Sequence, residues 1–298
     1  MARRVTAGAP PMELRATQAR NRRKDFFYSL LRTKAALAGL MILSLMILAA
    51  ILAPLITHYD PIVISPPERT LPPSRDHWLG TDGFGRDIYS RVVYGARVSL
   101  PVGLIAVSIA ASIGAVLGLV AGYFGRYADA IIMRIIDIML AFPSIMLALV
   151  VVAILGPSIR NVMIAVGISE IPRYTRLIRG QVLSARELLY VEAAKVIGVP
   201  TSKILVRHIL PNVVSPVVVL GTLSVGSAIL AAAGLSFLGL GAQPPRPEWG
   251  AMLADGRQFL SSHWWVATMP GLAIAITVLA INMFGDGLRD ILDPRIRT

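Results

Sequence analysis

Five stretches of this chain run for 20 residues or more without a charged side chain: 35–59, 98–124, 138–159, 209–245 and 266–285. A helix crossing a hydrocarbon core about 30 Å thick takes about 20 residues at 1.5 Å rise. Runs of that length leave few options other than membrane spans. Composition agrees, with 55% hydrophobic and only 15% charged residues, against roughly a quarter charged in a soluble domain. A soluble globule of 298 residues has too little interior to hide so much apolar surface. Disorder is excluded on the same ground. With no cysteine, there is no disulfide framework, thiol nucleophile or Cys-ligated metal site.

The third run predicts a helix that begins earlier, near Asp129. The run 209–245 is too long for one straight span, and it reads as a helix over about 213–235 followed by a Gly-rich bend. A weaker span over 159–180 carries Glu170, Pro172 and Arg173, and its charge-free core is only 161–169. Charge asymmetry argues for including it. With six spans, one side holds 21 of the 29 Lys and Arg residues and the other eight, which places both termini in the cytoplasm. Without the weak span, the basic segment 173–212 moves outside and the asymmetry is spoiled.

The expected fold is therefore all-α, a polytopic membrane protein with six transmembrane helices. Its parts are a basic amphipathic N-terminal segment 1–34, a first span 35–58, an extracytoplasmic loop 59–97, a membrane domain 98–288 and a tail 289–298. The basic N-terminal segment reads as a topology anchor lying on the bilayer rather than a nucleic-acid arm. The first apolar run is too long for a cleavable signal and lacks a small-residue cleavage site, so it reads as a retained anchor. Gly114, Gly118 and Gly122 recur every four residues, exposing bare backbone on one helical face for close packing. Trp249, Trp264 and Trp265 suit the outer interfacial belt.

The segment 184–211 carries the most specific pattern. Ser184-Ala185-Arg186-Glu187 has the form of a capping box. It predicts a helix through Glu192, Ala193 and Ala194, closed by a left-handed Gly198 with Pro200 beyond. A second short helix from Thr201 is expected to end before Pro211. The product is a compact helix–turn–helix knob suited to docking into a partner's groove.

Glu192-Ala193-Ala194, Gly198 and then His208-Ile209-Leu210-Pro211 resemble the EAA loop of binding-protein-dependent ABC importer permeases. His208 stands where the usual form has an aliphatic residue, and peptide-transporter members often carry a His-x-Leu-Pro-Asn ending. Other stretches resemble the second permease subunit of dipeptide and oligopeptide importers. They include His77-Trp78-Leu79-Gly80-Thr81-Asp82 with Gly85-Arg86-Asp87, Pro247-Glu248-Trp249-Gly250 and Gly285-Asp286-Gly287-Leu288-Arg289-Asp290. The resemblance implies that Glu192, Ala194 and Gly198 shape the surface resting on ATP-hydrolysing subunits and that Pro211 starts the exit into the fifth span. It also implies a homologous permease partner in a heterodimer, two ATP-binding subunits that hold ATP and Mg, an extracytoplasmic peptide-binding protein, and residence in a bacterial or archaeal inner membrane. Glutathione and nickel importers share this subunit type.

Rival readings find little in the residues. None of the four histidines forms a His-Glu-x-x-His pair, and Gly234-Leu235-Ser236 reaches its next glycine one residue too late for a nucleophile elbow. No Gly-x-x-x-x-Gly-Lys loop is present, so ATP hydrolysis is not expected of this chain. A passive channel has no use for a docking knob. Glu170, an intramembrane carboxylate, either lines the substrate pathway or pairs with Arg173.

Overall fold

The computed structural model describes residues 33–292. The readings made for the basic segment 1–34, save its last two residues, and for the tail beyond 292 lie outside the described residues. Every regular element described is helical; one isolated bridge, Thr81 to Asp87, is the only β pairing among the described residues.

The first long helix, α1 (Lys34–Ile51), is followed by the short α2 (Ala53–Ile56) and an irregular segment. Then come α3 (Ile88–Phe124), α4 (Arg126–Leu140), α5 (Ser144–Leu155) and α6 (Ile159–Arg186). After the short α7 (Leu189–Val196) and α8 (Thr201–Lys203), a π-helical stretch (Ile204–Ile209) leads into α9 (Leu210–Phe237). The chain ends with α10 (Trp249–Gly256) and α11 (Trp265–Leu292). Among the described residues, four helices are long and apolar enough to cross a membrane, or five if the bent pair α4–α5 is one span.

Two expectations change here. The charge-free run 138–159 is not one straight crossing: α4 and α5 meet at 93°. Pro143 lies at this break, where it disfavours helical backbone at Phe142, and hydropathy does not register that constraint. The second correction concerns Trp249, which is only 1% exposed. Its indole N–H donates to the Val92 carbonyl at 2.9 Å, so it anchors α10 to α3 rather than an interfacial belt. Trp265 is also buried, and Trp264 alone of the three is exposed.

The weakest sequence segment makes the longest internal contact. α6 is 28 residues, about 42 Å at helical rise, and lies along α3. The glycines explain the fit. A Cβ on Gly114 would lie 2.5 Å from Cβ of Tyr174, and one on Gly118 would lie 2.8 Å from Cβ of Ile178. At Gly122 the corresponding distance to Val182 Cβ is 2.7 Å. Bare backbone at three successive turns therefore receives three large α6 side chains, in place of the hydrophobic drive that lipid removes. The surrounding core is rich in small and β-branched residues, among them Ala106, Ala110, Val152, Val162 and Ala165.

One end of the bundle is a polar cap built from residues 57–87, the start of α3 and α10. Asp82 is its hub: it accepts from the Phe84 and Arg86 backbone N–H groups and pairs with Arg86 Nε at 2.6 Å and Arg91 Nε at 3.5 Å. Asp87 caps α3 through the Ser90 N–H at 2.7 Å and holds His77 Nδ1 at 3.0 Å. Glu248 caps α10 by accepting from Gly250 and Ala251 N–H, both at 2.9 Å. All these side chains are buried. Asp82→Asn leaves buried Arg91 without its anion and Arg86 with only Asp255 at 3.4 Å, and is expected to cost about 1.5–3 kcal/mol, read as a lower thermal midpoint of the purified protein.

Candidate functional site

The opposite end carries the 184–211 knob. Its first turn differs from expectation. Ser184 opens no helix, because α6 continues through Arg186 and the Ser184 hydroxyl donates to the Gly180 carbonyl at 3.2 Å. A capping box needs free backbone N–H groups, and an unbroken upstream helix has already used them. The chain turns instead at Glu187 and Leu188, where Leu188 is extended.

α7 then closes with two bonds: the Gly198 N–H donates to the Lys195 carbonyl and the Val199 N–H to the Ala194 carbonyl, each at 3.0 Å. This is the Schellman pattern, and Gly198 has φ +77°. No atom lies within 4 Å of a Cβ built on Gly198, so the corner opens outward.

A second correction follows beyond Pro200. The helix from Thr201 does not stop before Pro211 but runs into α9 through the π-helical stretch Ile204–Ile209. Pro211 lacks an N–H and cannot complete an α-helical bond; the wider π turn just before it lets the chain pass with Pro211 in the first turn of α9. Tyr190 and Asn212 converge on the His208 carbonyl: the tyrosine hydroxyl donates at 3.2 Å and the Asn212 amide at 2.7 Å. Asn212 also donates to the Tyr190 hydroxyl at 2.8 Å. This clamp ties α7 to the root of α9. At the other side, Arg186 Nη1 donates to the Gly122 carbonyl at 3.1 Å, fixing the knob to the end of α3.

Within the knob, Glu192, Ala193 and Gly198 are exposed, Leu210 and His208 half-buried, and Pro211 exposed. Ala194 is buried with Val191 in the chain's own core, so it supports the docking surface from beneath instead of forming it. The exposed apolar groups are larger than the sequence reading named: Leu189 at 83%, Val196 at 82% and Ile197 at 79%. Their spacing across α7 is the signal of this surface that the sequence carries. Large apolar side chains grouped off the end of a bundle mark a protein interface.

Glu170 is the remaining candidate. It makes no ion pair with Arg173, and its Oε2 is buried without a hydrogen-bond partner. Tyr174, one turn along, is buried with its hydroxyl directed at Gly221 and Ser224 of α9.

A helical membrane bundle with a capped polar end and an outward-facing apolar knob defines a transporter permease class, and comparison with known proteins supports that class. Residues 114–298 match the family described as binding-protein-dependent transport system inner membrane component, and 21–73 match the N-terminal TM domain of oligopeptide transport permease C. The chain belongs to this family of ABC importer permeases. It is 51% identical to the dipeptide transport system permease protein DppC of Alkalihalophilus pseudofirmus, over 92% of this chain and 90% of that one. The di/tripeptide transport system permease protein DppC of Pseudomonas aeruginosa is 45% identical, covering 92% of each. The glutathione transport system permease protein GsiD of Escherichia coli O6:K15:H31 is 46% identical over 99% of this chain and 97% of that one. The fold is similar to an inward-facing MetNI methionine ABC transporter, with a TM-score of 0.54 and 18% identity over 68% of this chain and 97% of that chain.

Proposed function

We propose that this chain is one permease subunit of an ABC importer for short peptides. The observation that carries the reading is the Gly198 knob, a closed corner displaying Leu189, Val196 and Ile197 on a family-matched membrane bundle. The knob rests on cytoplasmic ATP-binding subunits, two per importer, which hold ATP and Mg. The bundle pairs with a homologous permease, and the polar cap receives an extracytoplasmic peptide-binding protein. ATP binding closes the ATPases and tilts the knob, and the paired bundles switch access from one side to the other. Glu170 lines the pathway. Glutathione is the second cargo reading, favoured by the GsiD relative.

This reading requires six passes with both termini inside: 35–58 crosses first, 59–97 lies outside, 98–288 forms the coupled membrane domain, and 289–298 returns to the cytoplasm. The absence of cysteine makes the test direct. Single cysteines at Val63 and Glu192, both exposed, are expected to react oppositely with an impermeant maleimide on intact cells. Position 63 is labelled at once, and position 192 only after permeabilisation, as are cysteines at positions 5 and 298. Labelling of position 192 from outside overturns the topology and the transporter reading with it. Function is tested by reconstitution: labelled dipeptide enters vesicles containing the complete importer only with ATP and loaded binding protein.

A further inference from the structure

The charges of α6 divide into two groups. Arg176, Arg179 and Arg186 each hold a carboxylate: Asp137 at 2.6 Å, Asp129 at 2.6 Å and Glu187 at 2.9 Å. One turn deeper into the bundle, Arg173 and Glu170 hold none. They are three residues apart, a spacing at which opposite charges on a helix ordinarily meet, yet no ion pair joins them. Arg173 is exposed, whereas the Glu170 Oε2 is turned inward and buried. One turn on, the hydroxyls of Tyr174 and Ser224, on residues 0% and 1% exposed, face each other across the seam between α6 and α9.

The uncovered face of α6 includes Arg173, Arg176 and Gly180, with Ser169 half-buried beside them. A face of this polarity does not lie against lipid tails, and intramembrane charges mark substrate pathways. The unpartnered Glu170 oxygen suits a group with several N–H donors, and a primary ammonium has three. Arg173 offers the planar fork that recognises a carboxylate. Two extended residues span at most about 7 Å, a length compatible with positions three apart on a helix whose charged ends diverge.

We propose that Glu170 and Arg173 form a reading site for the two ends of a short zwitterionic peptide. Glu170 takes the α-ammonium, and Arg173 takes the α-carboxylate. Rotation of the Glu170 side chain brings its inward oxygen to the pathway. The site reads main-chain charge and length and leaves the peptide side chains unread. It rests on the peptide-importer reading above.

The test uses the purified complete importer without its binding protein, so that the binding protein's own selectivity does not enter. Equilibrium binding is compared for alanyl-phenylalanine, its N-acetyl derivative and its C-terminal amide. The parent is expected to bind the free dipeptide roughly tenfold or more tightly than either blocked form. Glu170→Gln abolishes the preference over the N-acetyl form alone, and Arg173→Gln the preference over the amide alone, with Arg173→Lys restoring part of it. Because Arg173 is exposed, its variants carry the test if Glu170→Gln does not accumulate. Undiminished preferences in the variants, no preference in the parent, or an equal loss for all three ligands with loss of the partner permease overturns the site. Dipeptide uptake by the parent is measured in parallel with the binding protein present. If uptake persists in those cases, the site fails and the importer reading stands; if the parent imports another solute and no dipeptide, the importer reading itself fails.

Discussion

Gly198→Asp is expected to leave the protein inserted at parental abundance and to abolish peptide uptake. At φ +77° any Cβ costs about 1–2 kcal/mol in the left-handed backbone, which strains the corner without touching the spans. None of the described residues crowds the new side chain, so its bulk and charge project outward from the knob. It arrives beside the apolar group of Val196 and Ile197, where a buried unpaired carboxylate opposes docking. Gly198→Ala separates the two causes, because it keeps the backbone strain and omits the charge. Uptake and co-purification of the ATP-binding subunits, compared at equal membrane abundance, check the result. If Gly198→Asp transports and co-purifies like the parent, the knob does not dock. Glu192→Ala removes one exposed polar group and is expected to act in the same direction more weakly.

Gly118→Leu should fail at an earlier stage, with little or no protein accumulating in the membrane. The Cβ alone would stand 2.8 Å from Ile178 Cβ and 2.9 Å from the Thr175 carbonyl oxygen. Relief requires separating α3 from α6 along their shared length, because backbone on one side meets backbone-proximal atoms on the other. Overpacking of a close core costs about 1–3 kcal/mol, and more where the backbone cannot move. Membrane abundance by immunoblot, and monodispersity of what remains in detergent, are the measurements. Parental abundance would mean that the helices separate at little cost.

These two substitutions also show where sequence was informative. The glycine spacing announced a close helix contact, and its partner turned out to be the segment with the poorest hydropathy. α6 is difficult to find from apolarity because one of its faces is polar; charge balance between loops led to it instead. The left-handed corner at Gly198 was readable because few residues other than glycine adopt that backbone, and Pro200 confirmed the stop. Features governed by backbone continuity were harder to read. Ser184 to Glu187 carries the letters of a helix start inside a helix already under way. Pro143 breaks a run that composition treats as uniform, and Pro211 is passed by a π turn that residue preference alone does not announce. Trp249 was assigned by the habits of its residue type, whereas the Val92 carbonyl and the α3 surface determine where it lies. At Glu170, the expected arginine neighbour is present in sequence but turned away in space.

The length of α6 has a mechanical consequence. The helix runs for 28 residues with Pro172 inside it and is clamped to α3 at three glycine turns and again by Arg186 at its end, so a tilt at the knob is shared by both helices. The points where the backbone departs from regular helix are the 93° elbow between α4 and α5, the π turn below α9 and Pro172. On a rod of about 42 Å, a tilt of roughly 10° about one end carries the other through about 7 Å. A modest rotation imposed at the knob is therefore geared up along the rod into an excursion at the cap about as long as an extended dipeptide.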